Sequence, residues 1–161
     1  MTSIRRMTED DLDAVVALSL AAWAPVFASV EAQLGSSIFT LLYPDWRSAQ
    51  AAAVRAVCTE AEHAVWVAVG DDRPVGFVAV GFLDEDAARA GEIHMIAVDP
   101  DHQGAGVGAS LMQQALDHIE AHGVDLAIVA TGGDAGHAPG RALYERFGFT
   151  PFPLVRYYRV P

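Results

Sequence analysis

Gln103-Gly104-Ala105-Gly106-Val107-Gly108-Ala109 places glycines at alternate positions between a strand-like run and a helix-like run. Glycine lets backbone amides approach an anion closely, and amides converging ahead of a helix N-terminus hold a phosphate without a cationic side chain. The chemistry this arrangement suits is pyrophosphate binding. All ten basic residues are arginines and lysine is absent, so a Walker phosphate loop, which needs a lysine on the phosphates, is excluded. The same residues match the dinucleotide fingerprint G-x-G-x-x-[GA] through Ala109. Against that reading, Asp99 to Gln103 separate the turn from its strand, and Asp125 begins the next strand where a ribose-binding acid should end it. Too few strands remain after residue 130 for a full doubly wound sheet.

Other side chains have chemical potential. Glu92, His94, Ile96 and Val98 alternate along one strand and are expected to share a face. Tyr144 falls at the edge of a helical side formed by Gly140, Leu143 and Phe147, where a hydroxyl can face a cleft. His118 and His122 are spaced like metal ligands on a helix, but no third ligand accompanies them, so no metal is expected; they suit the negative end of that helix. Cys58 is the sole cysteine, which rules out an intrachain disulfide and a cysteine-based zinc site and fits a reducing cytoplasm.

The elements that must position these residues alternate in type along the chain. Ser3 to Met7 reads as a short strand, and Thr8-Glu9-Asp10-Asp11 as a helix start with a capping hydroxyl and acids in the first turn. Leu12, Val15, Val16 and Leu18 to Leu20 recur at helical spacing, and that helix is expected to end before Pro25. Asp45 caps a helix from Trp46 to about Glu60. His63 to Val69 and Val75 to Leu83 form a hairpin around Gly70-Asp71-Asp72-Arg73-Pro74. Glu92 to Val98 is a strand, Gly106 to about His122 a helix, and Val124 to Ala130 a buried strand. Pro139 opens a helix that Gly148 ends, and Phe149 to Thr150 and Leu154 to Val160 are expected as the last strands. The sum is an α/β domain with a mixed sheet, and 161 residues suffice for one such domain.

The net charge of -11 repels phosphate backbones and anionic membranes, so neither nucleic acid nor a membrane is an expected partner. Acids near the N-terminus replace the apolar core of a signal peptide, and no apolar run is expected to reach the length of a membrane span. A soluble, cytoplasmic protein follows from this reading.

Ile93-His94-Met95-Ile96-Ala97-Val98-Asp99-Pro100, followed by Gln103-x-x-Gly106-x-Gly108 and Leu111-Met112, resembles the acetyl-CoA motif of the GNAT superfamily of N-acetyltransferases, [RQ]-x-x-G-x-[GA]. Arg141-Ala142-Leu143-Tyr144-Glu145-Arg146-Phe147-Gly148-Phe149 resembles the second hallmark helix of that superfamily. The resemblance implies a single domain with a mostly antiparallel sheet splayed at the cofactor site. Residues 1–62 would form an N-terminal strand and acceptor-side helices, 63–149 the sheet core with its acetyl-CoA motifs, and 150–161 a C-terminal strand. It further implies that Gln103 to Ala109 cradle acetyl-CoA, that Ile96, Ala97 and Val98 meet the pantetheine arm, and that one of their amides stabilises the oxyanion. His137 stands where many members carry a cofactor-binding asparagine, with Gly140 where alanine is common.

Acetyl transfer to an amine needs a proton acceptor for the amine and a donor for the leaving thiolate. By resemblance Tyr144 is the donor, and Glu92 or His94 the acceptor. Trp23, Phe27, Tyr43 and Trp46, with Tyr157, would line the acceptor pocket, the acceptor being the amine of a small molecule or a protein. Direct transfer in a ternary complex is expected; a non-catalytic acyl-CoA sensor is the alternative. An exposed edge strand near the C-terminus would allow a homodimer.

Overall fold

The computed structural model describes every residue from Met1 to Pro161. A five-stranded sheet runs in the order β1-β2-β3-β4-β5, from Ser3–Arg6 (β1), Ala64–Gly70 (β2), Arg73–Glu85 (β3), Ala88–Val98 (β4) and Leu126–Val129 (β5). Three helices, α1 (Leu12–Leu34), α2 (Ser36–Leu42) and α3 (Trp46–Thr59), connect β1 to β2. Neighbouring strands are antiparallel except β4 and β5, which are parallel because α4 (Val107–Ala121) crosses over between them. The last helix, α5 (Ala138–Arg146), follows β5. This mixed, mostly antiparallel sheet flanked by helices is the α/β class expected from the sequence.

β2 and much of β3 are buried on both faces, which explains their continuous apolar runs. Alternate residues feed two cores. Trp66, Val78, Val80 and Ile93 pack with Leu111, Met112, Ala115 and Ile119 of α4. Val65, Val67, Phe77 and Ala79 pack with Val15, Val16 and Leu18 of α1 and Val54 of α3. Close approach of α4 depends on Gly91, where a Cβ would lie 2.6 Å from Ile119 Cγ1.

Three expectations are corrected. Helix α1 continues through Pro25 to Leu34. Proline donates no bond to the preceding turn, a loss offset by anchors on both sides: Val15, Val16 and Leu18 in the core before it, and Ser29 hydrogen-bonded to Asp134 after it. An 18-residue window of the helical stretch Glu9–Leu34 has a mean hydropathy of 1.7, long and apolar enough by length and composition to cross a membrane, so a run of that length does exist. The strands expected at Phe149–Thr150 and Leu154–Val160 do not form; residues 149–161 carry no regular element. Pro151 and Pro153 supply no ladder donors there.

Asp11, buried at the start of α1, accepts hydrogen bonds from Arg5 Nη1 (2.7 Å) and Nη2 (2.9 Å), and from the Thr8 N–H (2.8 Å) and Oγ1 (3.0 Å). The Arg5 bond, joined by those from Thr8, outweighs burial and lowers the carboxyl pKa to about 2. A carboxyl depressed on folding stabilises above its unfolded pKa and loses that contribution as pH falls through the folded value. Asp11→Asn is expected to lower Tm at neutral pH and to remove part of the wild-type stability loss between pH 3.8 and about 2. Thermal melts across that range measure it, and parallel pH dependences for the two proteins would contradict it.

Candidate active site

β5 pairs with β4 only from Ala90–Leu126 to Ile93–Val129. Beyond Ile93, β4 keeps β3 on one side as far as Val98 and has no strand on the other. A cavity of about 420 Å³ opens at this parting, between Ile93 to Val98 and the residues Val129, Ala130 and Thr131. Its volume falls in the range of small-ligand sites, roughly 300–1,000 Å³. Ala22, Trp23, Pro25 and Val26 of α1 form one wall, and Gly140, Leu143 and Tyr144 of α5 form another.

The glycine turn lies at one end, with Gln103, Gly104 and Gly108 on the cavity surface. Gly104 (φ +79°) and Gly106 (φ +84°) adopt the left-handed conformation that glycine alone takes without strain. Ser110 N–H makes the first bond of α4, to the Gly106 carbonyl at 3.0 Å, so the amides of Val107, Gly108 and Ala109 precede the helical ladder and are free for an anion. Ala105, Gly106, Val107 and Ala109 contribute backbone to this turn but do not line the cavity. The Gln103 side chain turns back and donates to the Val98 carbonyl at 3.0 Å, fastening the turn to β4.

The register reveals a β-bulge that the sequence does not announce. Ala79 pairs with Met95 and Val80 with Ile93, leaving His94 as the extra residue. The expected common face of Glu92, His94, Ile96 and Val98 is therefore corrected. Ile96 and Val98 pack on the α4 side, whereas Met95 and Ala97 pack on the α1 side. Gly81, the partner of Glu92, has its missing Cβ 2.5 Å from His94 Nε2 and 2.9 Å from His63 Cδ2, so both histidines fill the space above it. The two rings lie 4.4 Å apart, and His94 Nδ1 is 3.5 Å from Glu92 Oε2. His63 is fixed by a 2.9 Å contact between its Nδ1 and the Val57 carbonyl, which makes Nδ1 the donor. Burial lowers the pKa of His94; Glu92 opposes and His63 reinforces that effect. His94 reaches the cavity, and Glu92 does not.

Tyr144 also lines the cavity, and burial raises its pKa. A Cβ on Gly140 would lie 3.5 Å from the Tyr144 hydroxyl, an ordinary contact, so the glycine there is not required for space. His137 lines the cavity as well, with its Nδ1 bonded to Asp134 Oδ1, which leaves Nε2 as the free ring nitrogen. Asp134 Oδ2 accepts from Ser29 Oγ (2.7 Å) and Gly136 N–H (3.1 Å). Burial opposes its ionisation, but the bonds from Ser29 and His137 prevail and hold its pKa below the usual value. Arg141 Nη1 donates to the Gly132 and Asp134 carbonyls, each at 2.7 Å. This network ties the loop after β5 to both α1 and α5.

Of the aromatic residues expected around an acceptor, only Trp23 reaches the cavity. Phe27 stacks on Trp46 at 4.4 Å and meets Tyr43 edge-on at 5.4 Å, holding α2 and α3 against α1. Tyr157 is exposed. His118 and His122 pack with Phe82 and each other, and no group of metal-binding side chains surrounds them. Burial pushes the Cys58 thiol up to about 11, so it is protonated at neutral pH. Sequence reasoning missed His63, Asp134, Ser29 and Gly81; a glycine inside a strand, signalling close approach of another group, was the one available clue.

Gly81→Ala should displace His94 from its packed position and return its pKa toward 6.5, since the burial that lowers it would be lost. Imidazole NMR titration of both proteins measures this. An unchanged His94 pKa in a folded variant would contradict the described packing.

The Acetyltransferase (GNAT) family model matches residues 35–149. A mycothiol acetyltransferase of Beutenbergia cavernae is 39% identical over 97 residues, which are 60% of this chain and 32% of that protein. The chain thus spans about a third of that relative's length. A GCN5-related N-acetyltransferase from Ralstonia eutropha has the same fold, with a TM-score of 0.68 at 19% identity over 99% of both chains. A structure of a predicted acetyltransferase from Clostridium acetobutylicum, solved with acetyl-CoA, gives a TM-score of 0.65 at 13% identity, covering 99% of this chain and 96% of that one. The family match takes in both the glycine turn and the Tyr144 helix, and the chain belongs to the Acetyltransferase (GNAT) family.

Proposed function

We propose that this chain is an acetyl-CoA-dependent N-acetyltransferase acting on the primary amine of a small, cationic molecule. One observation carries the reading: a single cavity is lined by the glycine turn, by the unpaired edge of β4, by His94 and by Tyr144. The amides of the turn suit a pyrophosphate, and the β4 edge suits the amides of a pantetheine arm. An amide among Ile96, Ala97 and Val98 serves as oxyanion donor to the thioester oxygen.

His94 supplies a neutral imidazole at neutral pH and takes one proton from the substrate ammonium, directly or through water, while Glu92 orients that ring from outside the cavity. The freed amine attacks the thioester carbonyl, and collapse of the adduct breaks the carbon–sulfur bond. Tyr144, a phenol protonated at neutral pH whose pKa burial raises further, gives its proton to the departing thiolate and recovers one from the new amide nitrogen. His137 replaces the family's usual asparagine, and Nε2 of its Asp134-held ring contacts the pantetheine. Transfer is direct, in keeping with a buried, protonated Cys58.

The net charge of -11 favours a cationic acceptor at long range. A small acceptor is supported by the wall that α1 places over the cavity and by the relatives named mycothiol acetyltransferase. Trp23 contacts it.

Thiol release from acetyl-CoA against a panel of small amines tests the reading. Tyr144→Phe should lower kcat roughly a hundredfold or more. The wild-type rate should rise with pH through a value below 6.5, because a base acts only when unprotonated, and His94→Ala should lose that limb. Undiminished turnover in both variants would overturn the assignment.

A further inference from the structure

α1 changes character at Pro25. Its buried residues, Val15, Val16, Leu18 and Ser19, all precede the proline, and the missing proline N–H removes one bond of the helical ladder there. Ala22, Trp23, Pro25 and Val26, which wall the cavity, straddle this weak point. Beyond it Phe27 is braced from α3 by Trp46, and the loop after β5 meets the helix at backbone range. A Cβ on Gly136 would lie 3.0 Å from Val26 Cα and 2.7 Å from Ser29 Cβ. The Ser29 hydroxyl is engaged on both sides of that contact, donating to Asp134 Oδ2 at 2.7 Å and accepting from the Gly136 N–H at 2.8 Å. The other carboxylate oxygen, Oδ1, holds Nδ1 of His137, whose ring lines the cavity. Ser29 and Asp134 themselves stand behind the cavity wall.

We propose that Asp134 and Ser29 are positioning residues that couple the donor to the acceptor wall, a role that rests on the cofactor reading above. With Nδ1 of His137 on Asp134 and Nε2 on the pantetheine, the ring is held at both nitrogens, and the carboxylate it shares with Ser29 is held with it. Coenzyme A thereby restrains the half of α1 beyond Pro25, and the wall that faces the amine is ordered by the donor. Linkage makes the effect reciprocal: an amine that orders the wall tightens coenzyme A by the same factor, typically about 5- to 150-fold for such couplings. A carboxylate suits the task because its two oxygens accept several bonds at once, here from the ring, the loop and the helix. Arg141 supplies the fixed base, since Nη1 holds the Gly132 and Asp134 carbonyls and ties the loop to α5, leaving α1 as the element that responds.

The test uses the full chain and needs no acceptor: amide hydrogen exchange read by mass spectrometry, with and without saturating coenzyme A. In the wild type coenzyme A should slow exchange roughly fivefold or more in residues 26–34 as well as in the turn 104–109. In Ser29→Ala the turn should be protected as before while residues 26–34 lose their response. His137→Ala, which breaks the relay at its other end and leaves α1 untouched, should have the same effect. Protection of the turn with no response at residues 26–34 of the wild type would overturn the inference and leave the cofactor reading standing. A response there that survives in either variant would also overturn it, since Ser29 would then be a static fastening. No protection of the wild-type turn would remove the cofactor reading, and the coupling with it.

Discussion

The parting of β4 from β5 after the Ile93–Val129 pair is the constraint on which the rest of the site depends. An unpaired strand edge inside a domain leaves backbone donors and acceptors without partners, and such groups must be solvated or given a ligand. Here the edge is lined up with a turn of free amides at the start of α4 and walled by α1 and α5. A long, flexible molecule with a diphosphate at one end and amides along its length meets both needs. The sheet thus supplies the recognition surface by ceasing to pair.

The same strand sets the polarity of the chemistry. The bulge at His94 sends Ile96 and Val98 toward α4 while keeping His94 with Glu92 on the α1 side, above Gly81. Tyr144 enters from the opposite wall, on α5. An imidazole whose pKa burial lowers and a phenol whose pKa burial raises therefore face one cavity from different elements. Asp134 keeps the walls together, since Ser29 of α1, the loop amide of Gly136 and His137 all bond to its carboxylate.

What could be read from the sequence was local. The glycine turn, the Tyr144 helix and the apolar runs of β2 and β3 are written in short-range spacing, and the class of fold followed from their order. Longer-range facts were hidden. A bulge looks identical to regular alternation until the partner strand is known, so His94 and Ile96 were assigned to one face. Pro25 signals a helix end, yet contacts made by Ser29 with a residue more than one hundred positions away hold α1 together beyond it. Phe27, Tyr43 and Trp46 have the composition of a binding wall, but their mutual stacking is a tertiary outcome. The residues from Leu154 have strand composition, yet they form no strand, because composition alone does not supply a partner edge.

The most direct measurement of the central claim is the melting temperature with coenzyme A, beside pantetheine, which lacks the diphosphate. If the amides ahead of α4 hold the pyrophosphate, coenzyme A raises Tm in a concentration-dependent way, pantetheine does so far less, and Gly106→Ala, which strains a φ of +84°, abolishes the coenzyme A shift. Equal shifts from the two ligands, or a coenzyme A shift that survives in Gly106→Ala, would contradict it.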